Sequence, residues 1–158
     1  MWPSLKPSQR VQVAGAISPQ STSGTVTTGW VNAANWENFL AVINLGVISA
    51  GGTVNAALKQ AQDNTGTNAK ALNNVAGNAL AIVAMTQAGG NSSELALIDA
   101  KNPQLDTNNG FTWIELSITA SGAAALVSAE LYGFDPKIPT ADSTGDSTDA
   151  AAVNQIVY

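Results

Sequence analysis

Glu115 and Glu130 are the acidic side chains whose spacing could do chemistry. Paired carboxylates act as acid and base in glycoside cleavage, or as oxygen ligands for a hard cation, when they face one another. The surrounding sequence predicts that they do. Ile114, Leu116, Ile118 and Ala120 alternate with Trp113, Glu115, Ser117 and Thr119, and the alternation resumes as Ala125, Val127, Ala129 and Leu131 against Leu126, Ser128, Glu130 and Tyr132. That is the period of strands with one buried face. Ser121-Gly122-Ala123-Ala124 between them reads as the turn of a hairpin spanning Phe111 to Phe134. With Ala120 facing Ala125, the pairs Ile118 with Val127, Leu116 with Ala129 and Ile114 with Leu131 share the inner face. Glu115 then falls opposite Glu130 on the outer face, where like charges are mildly unfavourable.

Mid-strand residues on an outer face seldom line the concave site that catalysis needs. Trp113, Glu115, Glu130 and Tyr132 are therefore expected to form surface between subunits, with no catalytic, metal or cofactor role assigned to them. Other chemical signals fail on count. Asp106-Thr107-Asn108-Asn109-Gly110 suggests a calcium loop, but an EF-hand needs glycine sixth and glutamate twelfth, whereas Gly110 is fifth and the twelfth position is Ser117. A tight turn entering a strand explains it better. Gly51-Gly52-Thr53 and Gly89-Gly90 lack the lysine and spacing of a phosphate loop. Trp30, Trp36 and Trp113 could stack on a sugar, yet core or interface packing is the expected use of such residues.

The chain has no histidine and no cysteine. A Ser-His-Asp triad, a Cys-His pair and any zinc site built on those ligands are thereby excluded. Only 11% of residues are charged, against about 25% in an ordinary soluble domain, so the exterior is neutral and hydrogen-bonding. The net charge of -5 and the scatter of the six basic residues give no footprint for nucleic acid. No run approaches the roughly 18 uninterrupted apolar residues of a membrane span, and no membrane partner is expected. At 158 residues the chain is long enough for one domain that buries roughly 70% of its unfolded surface.

The elements follow from alternation and turn residues. Arg10 to Ile17 reads as a first strand ended by Pro19, and Thr25 to Val31 as a second. Asn32 to Asn35 is a turn. Trp36 to Ile48 is a long strand with Phe39, Ala41, Ile43 and Leu45 on one face and Leu40, Val42 and Asn44 on the other, partly covered on both sides. Thr53 to Asp63 is strand-length between glycines and Asn64-Thr65-Gly66-Thr67, although its alanines also permit a helix. Ala69 to Val83 gives two short strands or one strand and a loop. Leu80 to Met85 and Glu94 to Ile98 are extended. With the hairpin, about eight strands at hairpin intervals predict an all-β antiparallel sandwich, an eight-stranded jelly roll, over residues 10–134.

Both ends differ in composition. Residues 1–9 carry Pro3 and Pro7 around Trp2 and Leu5, which favours an extended arm. Residues 135–158 begin with prolines, continue as the small, acidic run TADSTGDSTD, and end in AAAVNQIVY. Such arms either anchor to a partner or pack back on their own domain. The partner-binding residues assigned here are Trp2, Leu5, Trp113, Tyr132, Val153, Ile156, Val157 and Tyr158.

Three runs carry a family resemblance: GWVNAANWENFLAVINLG, GGTVNAALKQAQDNTGTNAKAL and LDTNNGFTWIELSITASGAAALVSAELYGFDPK. They resemble a group of small structural proteins encoded among the head genes of tailed bacteriophages. The shared features are a Gln-rich strand running into a Gly-Thr-Asn turn (Gln60 to Lys70), an Asp-rich turn entering an aromatic strand (Leu105 to Trp113), and a strand closing on Gly-Phe-Asp-Pro (Gly133 to Pro136). The resemblance covers about residues 24 to 139 and neither terminus. It implies a non-enzymatic virion protein made in the host cytoplasm. Such a protein decorates or cements the capsid exterior, or forms part of a head-associated spike or adaptor. Its partners would be the major capsid protein and copies of itself, in a homo-oligomer. A carbohydrate-binding sandwich used on a virion spike for host attachment is the rival expectation.

Overall fold

A computed structural model describes residues 10–136. The expected N-terminal arm, with Trp2 and Leu5, lies outside the described residues, as does the C-terminal arm beyond Pro136, with Val153, Ile156, Val157 and Tyr158. Asp135 and Pro136, expected to open that arm, are instead the end of the last strand, where Pro136 stands opposite Trp36. The rest is an antiparallel β-sandwich. Its strands are β1 (Val11–Thr22), β2 (Thr25–Thr27), β3 (Val31–Asn32), β4 (Trp36–Ile48), β5 (Thr53–Ala61), β6 (Lys70–Ala71), β7 (Ala81–Thr86), β8 (Leu95–Lys101), β9 (Trp113–Ser121) and β10 (Ala125–Pro136). One sheet, called A here, has the order β1-β10-β4-β8. The other, sheet B, has the order β2-β9-β5-β6, with β3 also on β9 and β7 also on β5.

Two interruptions reduce ten segments to eight strands. Gly29, at φ 76°, parts β2 from β3, yet both pair with β9. Between β6 and β7 the chain loops out at Asn73–Ala79 and returns, because Leu72 N donates to Leu58 O and Leu58 N to Leu80 O on the same edge of β5. Counted this way, the first strand pairs with the eighth (β1·β10), the second with the seventh (β2 and β3·β9), the third with the sixth (β4·β8) and the fourth with the fifth (β5·β6 and β7). A long hairpin of four such pairs, rolled so that β10 meets β4 and β9 meets β5, is an eight-stranded jelly roll.

The hairpin expected from Phe111 to Phe134 does not form. β9 belongs to sheet B and β10 to sheet A, so Ser121–Ala124 carries the chain across the sandwich. The inward faces are as expected: Ile114, Leu116, Ile118 and Ala120 from β9, and Ala125, Val127, Ala129 and Leu131 from β10, are all buried. They face one another across the core instead of side by side. The crossing is tight, since a Cβ on Gly122 (φ 78°) would stand 2.3 Å from Gly51 O in the neighbouring β4–β5 crossing. Ser49 N donates to Ala124 O and ties the two crossings together.

Pro19 does not end β1 either. Ser18 and Pro19 form a bulge between the pairs Ile17↔Ala129 and Gln20↔Val127, and β1 continues to Thr22. A proline removes one ladder donor, which an edge strand with a bulge tolerates. The stretch Thr53 to Asp63 is a strand, β5, and its helical alternative falls. Val54, Ala56 and Leu58 belong to the same buried cluster as Phe39, Ala41, Ile43 and Leu45 of β4, and Gln60, also buried, donates to Ala71 O and accepts from Asp106 N. Each large apolar side chain so buried contributes about 1.5–3 kcal/mol. Trp36 opens β4 inside this core, edge-on to Phe39 at 5.9 Å between ring centroids, with Nε1 donating to Gln12 Oε1 at 3.3 Å. Asn102 closes the same end: its buried amide donates to Ala33 O and Trp36 O.

Candidate functional site

The two carboxylates separate with their strands. Glu115 lies opposite Lys59 on the outer face of sheet B, and Glu130 lies between Ala16 and Val42 on the outer face of sheet A. The body of the sandwich stands between them, so neither acid/base pairing nor shared cation binding is open to them. Glu115 is buried to 7% exposure, and that burial raises its carboxyl above the ordinary range against the opposing pull of Thr27 and Lys59. Glu130 Oε2 accepts from Asn44 Nδ2. Trp113 and Tyr132, assigned together as partner-binding residues, likewise occupy different sheets, each half-buried.

The remaining sequence signals resolve into turns. Asp106 accepts from Asn109 Nδ2 at 2.8 Å and from Lys70 Nζ at 2.6 Å, and these hydrogen bonds, Lys70 first, hold its carboxyl below the usual range. Lys70 also sits 3.9 Å over the Phe111 ring. Gly110, at φ 81°, ends the turn. Asp63 Oδ1 accepts from the backbone N–H groups of Thr65 and Thr67 and from the Thr65 hydroxyl, which depresses its pKa strongly. Among the described residues no group of three or more Asp or Glu side chains is placed to hold a metal. The three tryptophans build no sugar platform: Trp36 is in the core, and Trp30 packs on Gly66, where a Cβ would come within 2.7 Å of its Nε1.

What the fold does assemble is a difference between its two outer faces. On sheet B the outward residues of β2, β9 and β5 are mostly short and polar: Thr25, Thr27, Ser117, Thr119, Thr53 and Asn55. Sheet A turns out Val13, Tyr132, Leu40 and Asp99 in one cross-strand row and Ala16, Glu130, Val42 and Leu97 in the next, flanked by the rows Phe134, Asn38 and Lys101 and Ser128, Asn44 and Leu95, so that apolar side chains are mixed with polar ones. Leu95 and Leu97 on the edge strand β8 are 66% and 59% exposed. Tyr132 and Phe134 lie 6.5 Å apart between ring centroids, and a depression of about 440 Å³ opens beside them, lined by Asn38, Leu40, Asp99, Lys101, Phe134 and Asp135. Burial and the nearby Glu130 charge raise the Tyr132 phenol pKa.

The signal for this face was present in the alternation. Leu40 and Val42 make the second face of β4 apolar, and Leu95-Ala96-Leu97-Ile98 is apolar on both faces of β8. Leu40, Val42, Leu95 and Leu97 are not among the residues assigned to partner contact from the sequence.

The fold defines the class of protein, a single jelly roll whose sheet A presents apolar side chains outward. No family model matches the chain, and no curated protein matches it significantly. Among solved structures, the infectious bursal disease virus VP2 subviral particle aligns at 16% identity over 78% of this chain, with a TM-score of 0.45. The structure of the infectious bursal disease virus Gx strain aligns at 15% identity over 82% of this chain, with a TM-score of 0.41. The chain spans 31% and 32% of the length of those chains, and no residue role is carried over from either.

Proposed function

We propose that this protein is a non-enzymatic virion structural protein that decorates or cements the capsid exterior of a tailed phage. It acts as a homo-oligomer bound to the major capsid protein, with the arms at residues 1–9 and 137–158 making intersubunit or shell contacts. The observation that carries the reading is the outer face of sheet A, where Leu95 and Leu97 stand exposed beside half-buried Leu40 and Val42, since exposed apolar groups rimmed by polar ones mark contact surfaces. The resemblance to head-gene structural proteins supports it, and its three runs fall on β3 to β6, β9 and β10 with their turns, leaving out β7 and β8. The composition agrees in that few residues are charged, so polar contacts between copies would be made largely by neutral hydrogen-bonding groups.

Purified full-length protein incubated with shells that lack it should co-sediment saturably, with a fixed number of copies per shell. Removing residues 138–158 should abolish that binding while the β circular dichroism spectrum and its melting transition persist. Full-length protein that never co-sediments with any shell would sink the virion reading, and undiminished binding of the truncated chain would sink the role of the C-terminal arm.

A further inference from the structure

The depression of about 440 Å³ at the Pro136 end of sheet A has a volume ordinary for small-molecule sites. The register explains its walls. Phe134, Asn38 and Lys101 form one cross-strand row and Tyr132, Leu40 and Asp99 the next, so each strand brings a different chemistry. From β10 the Phe134 ring lines the depression, with Tyr132 6.5 Å from it between ring centroids. From β4 come an aliphatic side chain, Leu40, and an amide, Asn38. From β8 come a carboxylate and an ammonium, Asp99 and Lys101, both exposed and two residues apart, about 6.6 Å along the strand.

The polar groups are placed but not used up. Among the described residues neither Asp99 nor Lys101 forms an ion pair, with the other or with a third group. Asn38 Nδ2 donates to Asp135 Oδ2 at 3.0 Å, which fixes the amide and keeps its oxygen for another donor. Asp135 itself sits at φ 53°, in the left-handed region, and backbone conformations of this kind gather at ligand clamps.

These groups select a class of ligand. Two carboxylates against one ammonium disfavour a phosphate or another anion, and Lys101 disfavours a cation. A wholly apolar ligand would strip water from Asp99 and Lys101 without replacing its hydrogen bonds. A pyranose answers both halves. Its C–H faces suit Leu40 and the Phe134 ring, and each hydroxyl both donates and accepts. It can therefore meet acceptor-only Asp99, donor-only Lys101 and the amide oxygen of Asn38.

We infer that this depression is a binding site for a neutral saccharide, with Phe134 and Leu40 against its apolar face and Asn38, Asp99, Lys101 and Asp135 on its hydroxyls. The inference goes beyond the virion reading and does not require it. The depression is open to solvent, so a single sugar binds weakly, and many copies on one particle would make attachment to a glycan-coated surface strong.

The test titrates isotope-labelled full-length protein with the methyl glycosides of glucose, galactose, mannose, N-acetylglucosamine and N-acetylgalactosamine, up to tens of millimolar, and follows the amide NMR shifts. At least one sugar should move the amides of Leu40, Asp99, Ala100 and Lys101 saturably. Those of Thr25 and Thr119, on the outer face of sheet B, should stay in place. Asp99→Ala and Lys101→Ala alter side chains already in solvent, and each should raise the dissociation constant about tenfold or more, as the loss of a hydrogen bond to a charged group does. Phe134→Ala should abolish saturation, with its sheet B amides unmoved from wild type as the check on folding. No saturable shift with any of these sugars overturns the inference, and so does binding that Asp99→Ala and Phe134→Ala leave unchanged. A response to inorganic phosphate alone overturns it too, because Lys101 would then be acting as a bare cation. Shell co-sedimentation is a separate measurement, so the saccharide site and the virion reading can fail independently.

Discussion

Gly133 lies flat against the indole of Trp36, so close that a Cβ at that position would stand 2.5 Å from the ring carbons. The contact joins the central strand β10 to the start of β4 and seats the largest core side chain. Gly133→Ala must push the indole away from Phe39 and from its hydrogen bond with Gln12, and overpacking of this kind costs about 1–3 kcal/mol. The midpoint of urea unfolding measures it. Gly24→Ala, which meets no atom within 4 Å, serves as the control and should change stability far less.

The partition of β9 and β10 between the sheets is open to direct test by cysteine pairs, since the chain has no cysteine of its own. Ala57 and Ser117 are cross-strand partners on β5 and β9. A hairpin of β9 with β10 would instead pair Ser117 with Ser128. Oxidised Ala57→Cys/Ser117→Cys protein should show a disulfide-linked loop by mass spectrometry of its peptides. Ser117→Cys/Ser128→Cys protein should keep both thiols, because sheets pack about 10 Å apart and these two residues point away from each other. A rapid disulfide in the second pair would overturn the jelly-roll order.

Glu115 makes stability depend on pH in a stated direction. Its folded pKa is raised above the model-compound 4.5 by burial, so the folded state binds this proton more tightly than the unfolded chain does. The contribution is fully present below the unfolded value and is lost as pH rises through the raised folded value. Glu115→Gln removes the dependence. Its unfolding free energy relative to wild type should therefore grow between about pH 4 and 8. A difference that is flat, or that shrinks, would show that pairing with Lys59 outweighs burial.

The sequence made the faces of the strands legible and left their neighbours ambiguous. The bounds and both faces of β4 are legible in the sequence, because alternation from Phe39 to Leu45 lies within a long apolar run bounded by turn residues. The same alternation misled at β9 and β10. Two strands whose apolar sets both point inward look alike whether they lie side by side in one sheet or face to face in two, because the pattern records inside and outside alone. Only the four residues Ser121–Ala124 could have distinguished the cases, and small residues serve a tight turn and a tight crossing equally. The Glu115 and Glu130 pair was a product of that ambiguity. Pro19 misled for a different reason: its missing donor matters in a central strand, and the sequence does not announce that β1 lies at an edge. Sheet A's outer face was half visible, as the second apolar face of β4, but its extent needed the register that aligns Val42 with Glu130 and Leu97.

The pairing of first strand with last has a consequence for the order of events at the ribosome. Among the described residues β1 has a single strand partner, β10, and β10 is also what separates it from β4. While the first hundred or so residues emerge, Val11 to Thr22 has no ladder to join, and sheet A can hold only β4 and β8. The sandwich can close only when Ala125 to Pro136 arrives, so folding must wait until nearly the whole chain has been made. That demand for distant contacts makes folding slow and leaves an unpaired apolar strand exposed meanwhile. Newly made chains would be most vulnerable to aggregation and to chaperone capture during that interval, well before any lattice is available to them.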